Sequence, residues 1–312
     1  MTVKNKEPET RDVKGKLKAN GKESKPKFIK SGITVNYKRA KAAVVLRALV
    51  IFSAVVVACA LLSLLIYIVA RGIPNLKPSL FEWEYNRTNV SMLPAIVNTI
   101  TMVVISLFFS TLLGVFSAIY LVEYARRGSK LVNFIRLTTE TLAGIPSIVF
   151  GLFGYLIFAR TFGFGYSMLG GSFTLSLMIL PLIIRTTEES LIAVPDLYRE
   201  GSFGLGAGKL RTIFKIILPT ASAGILSGII LGIGRVVGET AALLFTAGTV
   251  SGIPKTLMNS GRTLSVHMYV LLSEGLYVNE AYATAFVLLI MVIGINLLSS
   301  KLAGKFIYKE KL

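Results

Sequence analysis

Residues 213–247 read IFKIILPTASAGILSGIILGIGRVVGETAALLFTA, an apolar stretch that holds only three charged side chains. About 20 apolar residues in helical form span the roughly 30 Å hydrocarbon core of a bilayer. Stretches of this kind recur along the chain, and the predicted spans lie at residues 43–70, 94–122, 131–159, 172–194, 213–247 and 281–300. The sequence therefore predicts an all-α membrane protein with six transmembrane helices.

Composition excludes several classes of protein. The chain of 312 residues is 53% hydrophobic and only 16% charged, which is too apolar for an ordinary soluble domain. Cys59 is the only cysteine, so a disulfide framework or a cysteine-rich metal site is excluded. The net charge of +18 does not indicate nucleic-acid binding, because the basic residues do not line a folded surface with aromatic partners.

The distribution of Lys and Arg predicts the orientation in the bilayer. Thirteen of the 34 basic residues fall in residues 1–41, which are predicted to form a disordered basic cytoplasmic tail. With both termini inside, 26 basic residues face the cytoplasm, 6 lie outside and 2 lie within spans. The predicted divisions are this tail, a first transmembrane helix with its outer loop (42–93), a core of five helices (94–302) and a cytoplasmic C-terminal tail (303–312).

One face of the fifth predicted span is small and polar. At 100° per residue, seven side chains fall within an arc of about 80°. They are Gly224, Gly228, Gly232, Arg235, Glu239, Ala242 and Thr246. Glycines four residues apart allow a neighbouring helix to approach closely. This face is therefore predicted to contact protein or water instead of lipid.

Charged residues within spans are costly, at least about 2.5 kcal/mol each, and so require a partner or a polar cavity. Arg235 and Glu239 are compatible with an intrahelical ion pair that fastens two helices, and also with an anion path in which Glu239 moderates the affinity of Arg235. Arg185 with Glu188 and Glu189 repeats the pattern, although Arg185 lies near enough to the inner end to extend into water. The planar guanidinium suits an oxyanion such as phosphate, and nearby Glu residues would prevent the ion from being trapped.

The loop between the fourth and fifth predicted spans carries a spaced motif. It reads Glu200-Gly201-Ser202, three residues, Gly206, nine residues, Ile216, one residue and Leu218-Pro219. This spacing resembles the EAA loop of ABC-importer permeases, with Gly201-Ser202 in place of Ala-Ala. Taken without the resemblance, the loop is a polar connection whose Gly and Pro separate two helices. The resemblance implies a coupling helix, at about residues 196–219, that inserts into a cleft on a partner ATPase.

Other stretches resemble the PstA-type phosphate permeases. They are Asn98-Thr99, residues 144–151 (GIPSIVFG), residues 185–189 (RTTEE) and residues 234–241 (GRVVGETA). The resemblance implies that Arg185, Arg235 and Glu239 act in transport, supported by Glu188 and Glu189. It also implies a homologous second permease, two copies of an ATPase and an extracytoplasmic phosphate-binding protein as partners. No Gly-x4-Gly-Lys-Ser/Thr loop is present, so ATP and Mg are expected on the ATPase and no cofactor on this chain.

Three alternatives stay open. A permease for sulfate or molybdate would keep the loop motif and change the intramembrane arginines. A membrane enzyme would need a catalytic cluster, whereas the single histidine, His267, lies in a predicted outer connection and is expected at the surface. A scaffold or regulatory subunit would not need arginines within its spans.

Overall fold

The computed structural model describes residues 37–126 and 128–309, with side chains from residue 44 to residue 301. Residues 1–36 of the predicted basic tail lie outside this part of the chain, and the first helix begins inside the predicted boundary of that tail. The α-helices of the described residues are α1 (Tyr37–Gly72), α2 (Leu93–Ile119), α3 (Lys130–Ala143), α4 (Ser147–Gly154), α5 (Met168–Ile192), α6 (Asp196–Gly204), α7 (Lys209–Thr212), α8 (Leu218–Val237), α9 (Ala241–Thr246), α10 (Leu264–Glu274) and α11 (Val278–Lys309).

Five of the six predicted spans are single helices long and apolar enough to cross a membrane. They cover Val44–Asn75, Leu93–Tyr124, Met168–Ile192, Lys209–Val237 and Val278–Lys301. Two of them include a π-helical segment, Tyr120–Tyr124 after α2 and Ile213–Ile217 before α8. The all-α membrane fold is confirmed, and the count reaches six when a bent helix pair is counted as one span.

That bent pair is the third predicted span, which was expected to be one helix. Lys130–Ala143 and Ser147–Thr161 meet at an angle of 106°. Pro146 lacks a backbone N–H and has an extended conformation (φ −59°, ψ 142°), so it starts α4 and cannot continue α3. The third predicted span therefore contains two separate helices, of which α3 carries polar residues on one side.

The fifth predicted span is also interrupted. The helix α8 ends at Val237, the next three residues are not helical, and α9 begins at Ala241. The Glu239 carboxylate Oε1 accepts a hydrogen bond from Ala242 N at 3.1 Å, so this side chain caps α9. The predicted continuous face from Gly224 to Thr246 is therefore wrong beyond Val237.

The described part of the chain divides into two units between Ala60 and Leu61. In the first unit the described residues form the beginning of α1, whose apolar side chains are exposed. Within the second unit, the end of α1 contacts α11. Tyr67 Oη and Tyr282 Oη are 3.1 Å apart, and Gly72 packs against Phe286.

The core of the second unit lies where α2, α5, α8 and α9 meet. Buried side chains there include Met102, Leu175, Ile179, Val237 and Leu243. The helix α2 runs along α5, and serine hydroxyls join the two helices: Ser106 Oγ donates to Ser172 O at 3.0 Å, and Ser176 Oγ donates to Ser106 O at 3.1 Å. Small residues and paired hydroxyl groups thus allow these two spans to pack closely.

Residues 249–263 pack against the beginning of α2. The Asn98 amide donates to Gly252 O at 2.9 Å and to Arg262 O at 3.1 Å. Following the predicted orientation, we call this the outer end of the spans and the end that carries α6 and α7 the inner end. The helix α10 begins here, capped by the Thr263 hydroxyl, and packs against the residues that precede α2.

His267 is buried in this outer layer, and its expected position at the surface is wrong. The reason is that residue 267 belongs to α10, and the edge of its ring contacts Tyr85 at a centroid distance of 6.1 Å. The Arg262 guanidinium lies over the same Tyr85 ring at 4.6 Å. Burial, followed by the positive charge of Arg262, lowers the pKa of His267 from 6.5 to about 3. The imidazole is therefore neutral at physiological pH.

Replacing His267 with leucine is expected to remove an acid sensitivity of the fold. In the parent protein the unfolded chain binds a proton at His267 below about pH 6.5, and the folded chain does not bind it until about pH 3. As the pH is lowered through this range, the free energy of unfolding therefore falls by about 1.4 kcal/mol per pH unit. Thermal melting in detergent at pH 7.5 and pH 5.0 measures the effect. An equal loss in both proteins would contradict this assignment.

Candidate functional site

A cavity of about 570 Å³ opens between α3, α5 and the outer part of α8. Its wall carries six charged side chains from these three helices. They are Arg136, Glu140, Arg185, Glu188, Glu189 and Arg235. Ionisable groups at membrane depth commonly mark substrate or ion pathways. This cavity is therefore the candidate functional site.

Helical spacing places the charged residues on the cavity side of α3 and α5. In α3, Arg136, Glu140 and Ala143 lie at intervals of four and three residues, so they share one face of the helix. In α5, Arg185 and Glu189 share a face in the same way. The break at residues 144–146 ends α3 at the cavity, which leaves its polar face against α5.

Two of the three arginines in the cavity wall each form an ion pair with a glutamate. The Arg185 Nε lies 3.0 Å from Glu189 Oε1, in the predicted i, i+4 pair, and both side chains are well exposed. Glu188 does not pair with Arg185, as the spacing had suggested, but with Arg136 of α3 through Nη2 and Oε1. An ion pair between helices thus closes one side of the cavity.

Arg235 lies in the same wall without such a partner. Within the described residues, its guanidinium makes no ion pair and no side-chain hydrogen bond. The predicted Arg235–Glu239 pair is wrong, because the helix has ended before Glu239 and that carboxylate caps α9 instead. Arg235 therefore offers its donors to the cavity.

The predicted packing glycines lie on α8 where it meets α5. A Cβ at Gly228 would lie 2.0 Å from Thr186 Oγ1, and one at Gly224 would lie 2.2 Å from Ser190 Oγ. Gly232 has more room, with the nearest side-chain atom at 3.5 Å. Because α8 and α5 approach so closely, Arg235 and Arg185 reach the same cavity.

The predicted coupling loop forms two short helices, α6 and α7, at the inner end. Ser202 is buried within the loop, and its hydroxyl lies 2.8 Å from that of Thr212. Glu200 and Gly201 are exposed on α6, and Gly206 has a φ of +81°, which favours glycine. Apolar side chains of the loop that are exposed are Leu197, Tyr198, Phe203, Leu205 and Leu210, with Leu205 91% exposed. An apolar surface of this kind marks a protein-binding site.

Arg136 was not among the predicted site residues, because it was counted among the 26 basic residues that face the cytoplasm. The signal was available in the spacing of Arg136, Glu140 and Ala143 ahead of the Gly144-Ile145-Pro146 break. Such a break separates an amphipathic helix from the apolar segment that follows it.

Comparisons with known proteins agree with this architecture. The family described as "Binding-protein-dependent transport system inner membrane component" matches residues 110–306, more than half of the chain. The probable ABC transporter permease protein YqgI of Bacillus subtilis (strain 168) is 32% identical over 280 residues, covering 82% of this chain and 93% of that protein.

A second relative is named for its substrate, and a solved structure shares the fold. The phosphate transport system permease protein PstA of Mycobacterium leprae (strain TN) is 38% identical over 209 residues, 65% of this chain and 67% of that protein. A chain of a bacterial alginate ABC transporter crystal structure aligns with a TM-score of 0.64 and 15% identity, over 87% of this chain and 98% of that one. At this identity the structural likeness speaks for the fold alone.

Proposed function

Because the chain belongs to the family of binding-protein-dependent transport system inner membrane components, we propose that it forms the path by which an ATP-driven importer carries inorganic phosphate across the plasma membrane. The membership itself makes the chain a multi-pass, non-catalytic permease subunit of an ABC importer. An ATPase hydrolyses the ATP for such a subunit, and a substrate-binding protein delivers the cargo. The choice of phosphate as cargo is the proposal.

The observation that carries the proposal is that Arg235 has no ion-pair partner among the described residues and lies in a cavity with Arg136 and Arg185. A guanidinium presents paired N–H donors at the spacing of phosphate oxygens, which favours a tetrahedral oxyanion. Charge-assisted hydrogen bonds of this kind contribute about 1.5 to 3 kcal/mol each. Arg235 is therefore the first ligand that we assign to the anion.

The paired arginines set the affinity of the site. An anion that reaches Arg185 or Arg136 must compete with Glu189 or Glu188 for the guanidinium. Such exchange keeps binding weak enough for release, as transport requires. Glu239, which faces away to cap α9, has no part in this site as we propose it.

The complete importer would pair this chain with a homologous permease, which would cover the exposed Arg185 and Glu189 side chains of the cavity wall. ATP and Mg would bind two ATPase copies, one of which would dock on the exposed apolar side chains of α6 and α7. Isolation of the importer through a tag on this chain, followed by mass spectrometry, is expected to recover both a second permease and the ATPase.

Transport by the reconstituted importer tests the cargo. With the binding protein outside and ATP within proteoliposomes, the importer is expected to accumulate radiolabelled phosphate, and excess sulfate or molybdate is expected to leave the rate unchanged. Liposomes without ATP provide the control. Accumulation of sulfate or molybdate with no phosphate uptake would assign the chain to another oxyanion.

A further inference from the structure

The inner end of α2 is bound to the coupling loop by charged contacts. After Ile119 the backbone continues as the π-helical segment Tyr120–Tyr124 and then becomes extended at Ala125. Glu123 belongs to this segment, and its side chain is only 8% exposed. Single π-helical turns occur often at functional sites. A buried carboxylate in such a turn needs a partner of opposite charge.

The partner of Glu123 is Arg199 of α6. Arg199 Nη2 and Nε donate to Glu123 Oε1 at 2.8 and 3.1 Å. The remaining donors bind Asp196 Oδ1 at 3.2 Å, Leu191 O at 2.9 Å and Val194 O at 2.8 Å. All five N–H groups of the guanidinium are thereby used. One side chain joins the end of α5, the start of α6 and the end of α2.

A second contact binds the neighbouring residue of α2. The Lys209 ammonium, at the start of α7, lies over the Tyr124 ring at 4.5 Å from its centroid. Cation–π contacts of this kind contribute about 0.5 to 2 kcal/mol. Both helices of the coupling loop therefore contact the π-helical segment Tyr120–Tyr124 that follows α2.

The π-helical segment Tyr120–Tyr124 also reaches the candidate site. Leu121, two residues before Glu123, lines the cavity. Further along, a Cβ at Gly114 would lie 2.7 Å from Ile183 Cγ2, so α2 and α5 are in close contact. Displacement of the α2 end is thus transmitted to the wall of the cavity.

We propose that Arg199 is a positioning residue that makes the segment Tyr120–Tyr124 move together with the coupling helix α6. The conformational change of the ATPase then displaces Leu121 in the cavity wall. This proposal rests on the function proposed above for the importer, although not on the identity of its cargo. A second, apolar route leads from the Ser202–Thr212 contact to Ile213 and Ile217, which pack with Ala118 and Ile119 of α2. The charged contact of Arg199 differs from this route because it joins α6 directly to Glu123.

Charge exchange between Arg199 and Glu123 tests the link in the complete importer. The variants Arg199→Glu and Glu123→Arg each leave a buried like-charge pair, so phosphate uptake is expected to fall at least about tenfold while the ATPase still co-purifies. The double exchange is expected to restore the uptake only in part, because a glutamate at position 199 cannot donate to Leu191 O or Val194 O and lies beside Asp196. The matched control is Arg126→Glu, because Arg126 follows the same turn and its exposed side chain makes no ion pair with described residues.

A second measurement is independent of the cargo. In a Cys59→Ser background, Leu121→Cys is labelled with a small thiol reagent in nucleotide-free and vanadate-trapped importer. The labelling rate is expected to differ severalfold between the two states, and Arg199→Glu is expected to abolish the difference. The proposal is overturned by a full difference in the Arg199→Glu variant, by no difference in the parent, or by parent-like uptake in both Arg199→Glu and Glu123→Arg.

Discussion

Replacing Arg235 with glutamine is expected to reduce phosphate uptake by about 10- to 100-fold. Arg235 lies in the cavity wall without a carboxylate partner in the described residues, so its donors are available to the anion. Glutamine is polar but shorter than arginine, and it loses the charge that makes these hydrogen bonds worth about 1.5 to 3 kcal/mol. Initial rates of radiolabelled phosphate uptake in proteoliposomes measure the effect.

Arg160→Gln is the matched control for this substitution. Arg160 is exposed near the end of the bent pair and makes no ion pair with described residues. The same change of charge is expected to leave uptake within about twofold of the parent. Unimpaired uptake in Arg235→Gln would remove Arg235 from the mechanism, and an equal loss in both variants would point to a nonspecific effect of charge.

Replacing Gly151 with valine is expected to give the largest loss of stability. A Cβ at Gly151 would lie 2.8 Å from Ala242 Cα and 3.0 Å from Ala242 O, both backbone atoms that no rotamer change can move. Overpacking typically costs about 1 to 3 kcal/mol, and the branched side chain places this variant at the upper end. Thermal melting in detergent, with yield after size-exclusion chromatography, measures it.

Gly144→Ala is the matched control. Its Cβ would meet Thr141 O at 3.5 Å, an ordinary contact, and the residue has a negative φ of −87°. Its melting temperature is expected to stay close to that of the parent. A parent-like melting temperature in Gly151→Val would show that α4 and α9 are less closely packed than described here.

The spans could be predicted from sequence because transfer into hydrocarbon depends on the apolar content of each segment. Where helices end inside such a segment depends on finer features. Gly144-Ile145-Pro146 carried a proline signal for the break, but the end of α8 did not. No proline lies between Val237 and Ala241, and Glu239 caps α9 through a contact that hydropathy does not contain.

The candidate site was likewise predictable only in part from the sequence. The cost of charge in a bilayer singled out Arg185, Glu189 and Arg235, which the structure brings to one cavity. Pairing within one helix was also predicted, and it holds for Arg185 with Glu189. The Arg136–Glu188 pair joins separate helices, so it depends on tertiary packing that residue spacing along one helix cannot report. The roles of these residues in transport stay predictions.

The charges around the cavity have an energetic consequence for the importer. Among the described residues, three guanidinium groups face three carboxylates there, so the wall carries no net charge. An anion in this site keeps its own charge as it moves through the electric field of the membrane. One elementary charge against 100 mV costs about 2.3 kcal/mol, and phosphate near pH 7 carries about 1.5 charges. If the cargo is phosphate, as we propose, uptake against about 100 mV (negative inside) is electrogenic, and ATP hydrolysis supplies about 3.5 kcal/mol beyond the concentration gradient.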